Sequence, residues 1–161
     1  MGKKSEIQIF LAHASEDKEL VVELYNRLKQ AGYKPWIDKK NLIPGQNWRS
    51  VIPRVIKESQ LVIACLSKNS ISKQGYVQDE FKIALNQLAS MPPDSIYFIP
   101  LRLDECEIPE LRQNEYGLNL KDIHWLDYWE VDGFEQLERA ISFKYGAFTQ
   151  EESFTEKTFT R

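Results

Sequence analysis

Six consecutive apolar residues, Leu61 to Leu66 (LVIACL), constrain this chain more than any other stretch. A continuous run of that kind reads as a strand covered on both faces, central in a parallel sheet. The next regular stretch supplies part of the cover. From Tyr76 onward, Val77, Phe81, Ala84, Leu85 and Leu88 recur at spacings of three and four, which predicts a helix with one apolar stripe turned inward. At about 100° per residue, Asp79 and Lys82 point away from the stripe, while Glu80 and Tyr76 sit one turn apart on its shoulder. A carboxylate there is expected to be half-inside. It either edges a solvated face or lines a cleft, where partial desolvation makes it chemically useful.

The same alternation runs along the chain. Ile7 to Ala12 is short, apolar and bounded by polar residues, and reads as a first strand. His13-Ala14-Ser15 makes a turn, with Ser15 or Asp17 placed to cap a helix whose stripe is Leu20, Val21, Leu24, Leu28 and Ala31. Gly32 ends that helix in the C′ position. Tyr33 to Ile37 is a second strand, and Pro35 within it predicts a sheet edge, where a missing N–H costs least. The loop from Asp38 to Asn47 is long and polar, with a turn at Pro44-Gly45. Trp48, Val51, Ile52, Val55 and Ile56 give the next helical stripe. Pro53 favours Ser50 over Asn47 as its cap, because the ring then falls in the first turn. Met91-Pro92-Pro93 closes the Tyr76 helix. Ile96 to Leu103 is a fourth strand, with Pro100 at a bulge or near its end. Cys106 to Leu120 is irregular, with room for one short helix. Ile123 to Leu126 is a fifth strand, and Phe134, Leu137, Ile141 and Tyr145 mark a final helix.

Strands and helices in this alternation predict an α/β fold: five parallel strands in the order 2-1-3-4-5, with helices on both faces. The switch point lies between strands one and three, and ligands bind there beyond the carboxyl ends of the strands. His13-Ala14-Ser15, Ser67, the helix of Tyr76 and Glu80, and the Asp38 loop are thereby gathered around one cleft. The 161 residues read as one domain, 1–146, followed by a polar and aperiodic tail, 147–161, expected to be disordered.

A formal net charge of −3 removes the basic footprint of a nucleic-acid binder, and Lys3 and Lys4 are too few for a membrane-binding patch. No apolar run has the length of a signal sequence or a membrane span, so a cytoplasmic location is expected. Cys65 and Cys106 are too few for a disulfide framework or a zinc site, and neither His13 nor His124 lies close in sequence to another plausible ligand. No metal is expected, and Cys65 reads as a small core residue.

The cleft lacks GxxxxGK[ST] or GxGxxG after the first strand, a carboxylate at the end of the third, and the GxSxG of a serine hydrolase. What remains is one partly buried carboxylate beside an aromatic ring, under a mobile cover. That set suits a bond whose leaving group is already activated. A ribosyl bond to a cationic pyridinium is such a bond, because nicotinamide leaves neutral. The carboxylate would hold ribose hydroxyls and stabilise the oxocarbenium-like charge. Composition and periodicity do not by themselves identify NAD as the substrate.

IFLAHASEDK, WIDKKNLIPGQNW and LSKNSISKQGYVQDEFKIAL occur in order and together resemble a Toll/interleukin-1 receptor (TIR) domain of the bacterial kind, over roughly Glu6 to Tyr145. The resemblance implies a flavodoxin-like fold, a mobile loop after the second strand that serves assembly, and cleavage of NAD into nicotinamide and ADP-ribose or cyclic forms. The family's catalytic glutamate lies in a Trp-x-x-x-Glu pattern, which here reads Tyr76-Val77-Gln78-Asp79-Glu80. Glu80 matches. Tyr76 replaces the usual tryptophan and retains an aromatic ring. By the same resemblance, His13, Ala14 and Ser15 would contact the nicotinamide ribose region, and Asp38, Leu42, Gly45 and Trp48 would form or follow the covering loop. Each has a plainer reading: Trp48 also fits its helical stripe, Asp38 a loop brace, His13 a turn residue bonded to backbone, and Ser15 a helix cap.

The implied activity is that of an NAD+ glycohydrolase or ADP-ribose cyclase in bacterial antiviral signalling, with NAD as substrate and no cofactor. Its implied partners are other TIR domains, through the loop from Asp38 to Asn47, and a separate effector protein. Two alternatives stand beside it: a non-catalytic TIR–TIR scaffold, and an enzyme acting on another nucleoside.

Overall fold

The computed structural model describes residues 4–37, 42–72, 76–92, 95–113 and 117–145, with backbone alone at 72, 76–78 and 113. The expectations for Asp38 and for the tail at 147–161 lie outside the described residues. In chain order the main elements are β1 (Gln8–Ala12), α1 (Lys18–Gln30), β2 (Lys34–Trp36), α2 (Trp48–Glu58), β3 (Leu61–Leu66), α3 (Lys68–Ser72) and α4 (Tyr76–Ala89). They continue with β4 (Phe98–Arg102), β5 (Arg112–Gln113), β6 (Leu118–Asn119), β7 (Leu126–Asp127) and α5 (Gly133–Lys144). A single 3-10 turn, Ser15–Asp17, leads into α1.

Five parallel strands run in the order β2-β1-β3-β4-β7, the expected order with β7 as the fifth sheet strand. All six residues of β3 are buried, since it has a strand on each edge and helices over each face. Side-chain alternation divides the core in two. Phe10, Ala12, Val62, Ala64 and Leu66 pack with Val51, Ile52, Val55 and Ile56 of α2 and Phe81, Ala84 and Leu85 of α4. Ile9, Leu11, Leu61, Ile63 and Cys65 pack with Val21, Leu24 and Leu28 of α1 and Leu137 and Ile141 of α5.

Local chemistry sets most element ends. Gly32 has φ 102°, its N–H donates to the Lys29 carbonyl, and the Tyr33 N–H donates to that of Leu28. This is a Schellman cap on α1, with Leu28 and Tyr33 both in the core. Pro35 lies in β2, at the sheet edge where its missing N–H was expected to cost least.

Six expectations need correction. Leu20 is 46 % exposed, and Tyr25 takes its place in the buried stripe of α1. Neither Ser15 nor Asp17 caps α1 through its side chain: Asp17 holds the N-cap position but makes no capping bond. Asn47, not Ser50, caps α2, its Oδ1 accepting from the Arg49 N–H at 3.0 Å. Pro53 is tolerated because the carbonyl that loses its partner belongs to exposed Arg49, where it can be solvated.

Pro100 lies within β4, opposite Ala64, and not at a bulge. Tyr97 and Leu103 bond to β3 and Arg102 bonds to Tyr128, so Pro100, in phase with Arg102, turns its missing N–H toward β7. That strand pairs only with Leu101 and Arg102, so no ladder bond is lost. The fifth strand starts at Leu126, because Ile123 donates back to Leu120 in a 3-10 turn and packs partly on the first core. The stretch read as irregular holds the antiparallel pair β5–β6.

Candidate active site

β1 and β3 end side by side, with Ala12 opposite Ala64, and their exits meet at the carboxyl edge of the sheet. His13 is 5 % exposed and its Nδ1 lies 3.3 Å from the Leu11 carbonyl, a hydrogen bond that requires the proton on Nδ1. Ala14 is fully buried in the core shared with α4. Ser15 is exposed, and its hydroxyl donates to Glu16 Oε1.

Ser67, directly after β3, is 1 % exposed and heads a polar cluster. Its Oγ donates to Asp17 Oδ2 at 2.5 Å, and Asn69 Nδ2 donates to Asp17 Oδ1 at 3.3 Å. The Ser67 N–H donates to Ser70 Oγ, and the Ser70 N–H donates to Ser67 Oγ. These reciprocal bonds cap the short α3, and the Lys68 N–H reaches both oxygens of Asp104 at 3.2 Å.

α4 begins at Tyr76 as its periodicity predicts, and Phe81, Ala84 and Leu85 are buried, while Asp79 and Lys82 are exposed. Glu80 is buried rather than half-inside, at 3 % exposure, on a helix that packs against α2, β1, β4 and β5. Burial raises the proton affinity of the Cys65 thiol, and the charges of Asp17 and then Glu80 raise it further. Two buried carboxylates therefore act on one point near the end of β3.

Of the loop expected to form a cover, residues 42–47 are described. Leu42 packs partly on the first core. Ile43 to Gln46 closes as a turn, the Gln46 N–H donating to the Ile43 carbonyl at 3.0 Å, with Gly45 at φ 95° after Pro44. Trp48 is 42 % exposed at the first position of α2, with the Arg49 guanidinium 4.9 Å from its ring, so it stands at the surface and not in the stripe. Asp38 and the Tyr76 side chain lie outside the description. Ala14 shares a core with α4, Ser67 is tied to Asp17, and His13, Ser67 and Glu80 are each buried; Ser15 and Trp48 are exposed. Asp17, read from the sequence only as a helix cap, and Asn69, not singled out there, join Ser67 at the strand exits. The available signal was an acidic residue at the exit of the first strand, and its partners, fifty residues on, leave no mark in local spacing.

A five-stranded parallel sheet in this order, with helices on both faces, defines a doubly wound α/β domain. The TIR domain family model matches residues 9–141, and the chain belongs to that family. Over 150 residues it is 33 % identical to the Methanobrevibacter olleyae protein named "Probable 2' cyclic ADP-D-ribose synthase TcpO", a match covering 92 % of this chain and 37 % of that one. Over 75 residues it is 36 % identical to the "NAD(+) hydrolase TcpA" of Theionarchaea archaeon (strain DG-70-1), covering 46 % of this chain and 23 % of that one. The chain thus spans well under half the length of these relatives. In fold it is similar to the TIR domain of the Toll-related receptor TRR-2 from Hydra magnipapillata, with a TM-score of 0.65, 22 % identity, and coverage of 83 % of this chain and 96 % of that one.

Proposed function

We propose that this TIR domain cleaves the bond between ribose and nicotinamide in NAD+, as a glycohydrolase or ADP-ribose cyclase, with Glu80 as its catalytic carboxylate. One observation carries the reading: Glu80 is a carboxylate at 3 % exposure on the helix that follows the exit of the central strand. The names of the two relatives, an NAD(+) hydrolase and a cyclic ADP-ribose synthase, support it.

The C1′–N bond breaks with its electron pair passing to the pyridinium, so nicotinamide leaves neutral. The ribosyl group is left with oxocarbenium character. Glu80 holds the ribose hydroxyls and offsets that charge, in a site where low water content strengthens the interaction. Water adding at C1′ and losing a proton gives ADP-ribose; an internal nucleophile of the same molecule gives a cyclic product. His13, Ala14 and Ser15 line the ribose side, Tyr76 supplies an aromatic wall, and Asp38, Leu42, Gly45 and Trp48 form or flank the cover. NAD+ is the substrate and no cofactor is required. The 38–47 loop also joins one TIR domain to the next, and the protein works in the cytoplasm, in antiviral signalling to a separate effector.

Mass analysis of products from NAD+ at high protein concentration tests the activity. Nicotinamide with ADP-ribose, or with a cyclic product one water lighter, is the expected result. Unchanged NAD+ in the wild type and in Glu80→Ala alike would leave a scaffold.

A further inference from the structure

The N-cap residue of α1 spends its carboxylate elsewhere. Asp17 occupies the position where an aspartate normally accepts from the first turn of its own helix, yet its side chain makes no such bond. It reaches instead to the exit of β3, where Ser67 Oγ donates to Oδ2 at 2.5 Å and Asn69 Nδ2 donates to Oδ1 at 3.3 Å. Both oxygens are engaged by residues fifty or more positions away, and Asp17 is 6 % exposed.

We propose that Asp17 is a positioning residue of the site: through Ser67 and Asn69 its carboxylate locks the turn leaving β1 to the turn leaving β3. The inference rests on the function proposed above. The turn leaving β1 carries His13 and Ala14, and the turn leaving β3 runs through α3 toward the helix of Glu80. The two turns are separate in sequence and their strands pair only as far as Ala12 and Ala64, so no ladder bond sets the spacing beyond that pair. A two-point tie to one carboxylate does so.

Cost argues that this is more than a cap. A buried carboxylate is expensive unless it is fully bonded, and among the described residues no cation pairs with Asp17. The positive end of α1, at whose N-cap it sits, offsets part of that cost. A neutral asparagine could accept the Ser67 bond more cheaply. Its charge and that of Glu80 both raise the proton affinity of the buried Cys65 thiol, near the end of β3. Asp17 reaches the site only through the residues it holds.

The test uses the full chain and four variants, Asp17→Asn, Ser67→Ala, Ser67→Thr and Glu80→Gln, with kcat and KM for nicotinamide release from NAD+ and a thermal melt for each. Loss of alignment on the scale of an ångström costs up to about 100-fold in rate. Asp17→Asn and Ser67→Ala are expected to lower kcat by about tenfold or more while KM stays within about twofold. Ser67→Thr, which restores the hydroxyl, is expected to regain most of the rate. If Asp17→Asn does not fold, the Ser67 pair decides: loss in Ser67→Ala with rescue in Ser67→Thr supports the tie. Wild-type kcat in folded Ser67→Ala and Asp17→Asn, beside a dead Glu80→Gln, overturns this inference alone. A wild type that releases no nicotinamide overturns the proposed function and this inference together.

Discussion

Arg102 and Asp127 clasp one another in a two-point pair at the carboxyl ends of β4 and β7. Nε donates to Oδ1 at 2.7 Å and Nη2 to Oδ2 at 3.1 Å, while Nη1 donates to the Cys106 carbonyl at 2.7 Å. The guanidinium also lies 5.6 and 5.2 Å from the ring centres of Trp125 and Trp129. β7 is two residues long, so its ladder alone holds it weakly; this clasp seats it on the sheet. Arg102→Lys keeps the charge and loses the fork. The expected cost is about 2 kcal/mol, for a pair whose side chains are only 19 % and 25 % exposed. For a chain of this size that is a fall of roughly 4–8 °C in Tm. An unchanged melt would show that β7 docks without the pair.

The cap of α2 can be tested by two substitutions. Asn47 accepts the Arg49 N–H, whereas Ser50 lies inside the helix and exposed. Asn47→Ala is expected to cost about 1 kcal/mol and Ser50→Ala less than about 0.5 kcal/mol, measured by urea unfolding. The reverse order would return the start of the helix to Ser50.

The buried thiols make stability depend on alkaline pH. Cys65 is held above its ordinary range by burial and then by Asp17 and Glu80, and burial first, then Asp104, pushes Cys106 up to about 11. In the unfolded chain both ionise near 9.0. Above that pH the folded chain therefore binds more protons than the unfolded one. The thiol contribution is intact below about pH 9 and is lost as pH rises through the native values. Cys65→Ala removes one share of this loss and adds a packing cost that does not change with pH. The stability gap between wild type and Cys65→Ala should narrow by about 1 kcal/mol between pH 8 and pH 10. A constant gap would show that the Cys65 thiol ionises alike in both states.

Features carried by local periodicity are legible in the sequence: the six residues of β3, the edge position of Pro35, the cap at Gly32, and the start and buried stripe of α4. What depends on a distant neighbour is not. Pro100 fits mid-strand because β7 is short, and Glu80 lies on a helix that packs against α2, β1, β4 and β5. Asp17 looks like a helix cap until the β3 exit is brought beside it. The TIR resemblance marked Glu80, but the tie that orders its surroundings is a contact between residues fifty apart, which no spacing rule records.

The rate of nicotinamide release from NAD+ by wild type and Glu80→Gln, at equal concentration and with matched melts, tests the central claim most directly. Loss of a group that stabilises developing charge typically costs about 100-fold or more. The account predicts turnover in the wild type and a loss of at least that size in Glu80→Gln. Equal rates in the two folded proteins would contradict it and move the chemistry away from Glu80.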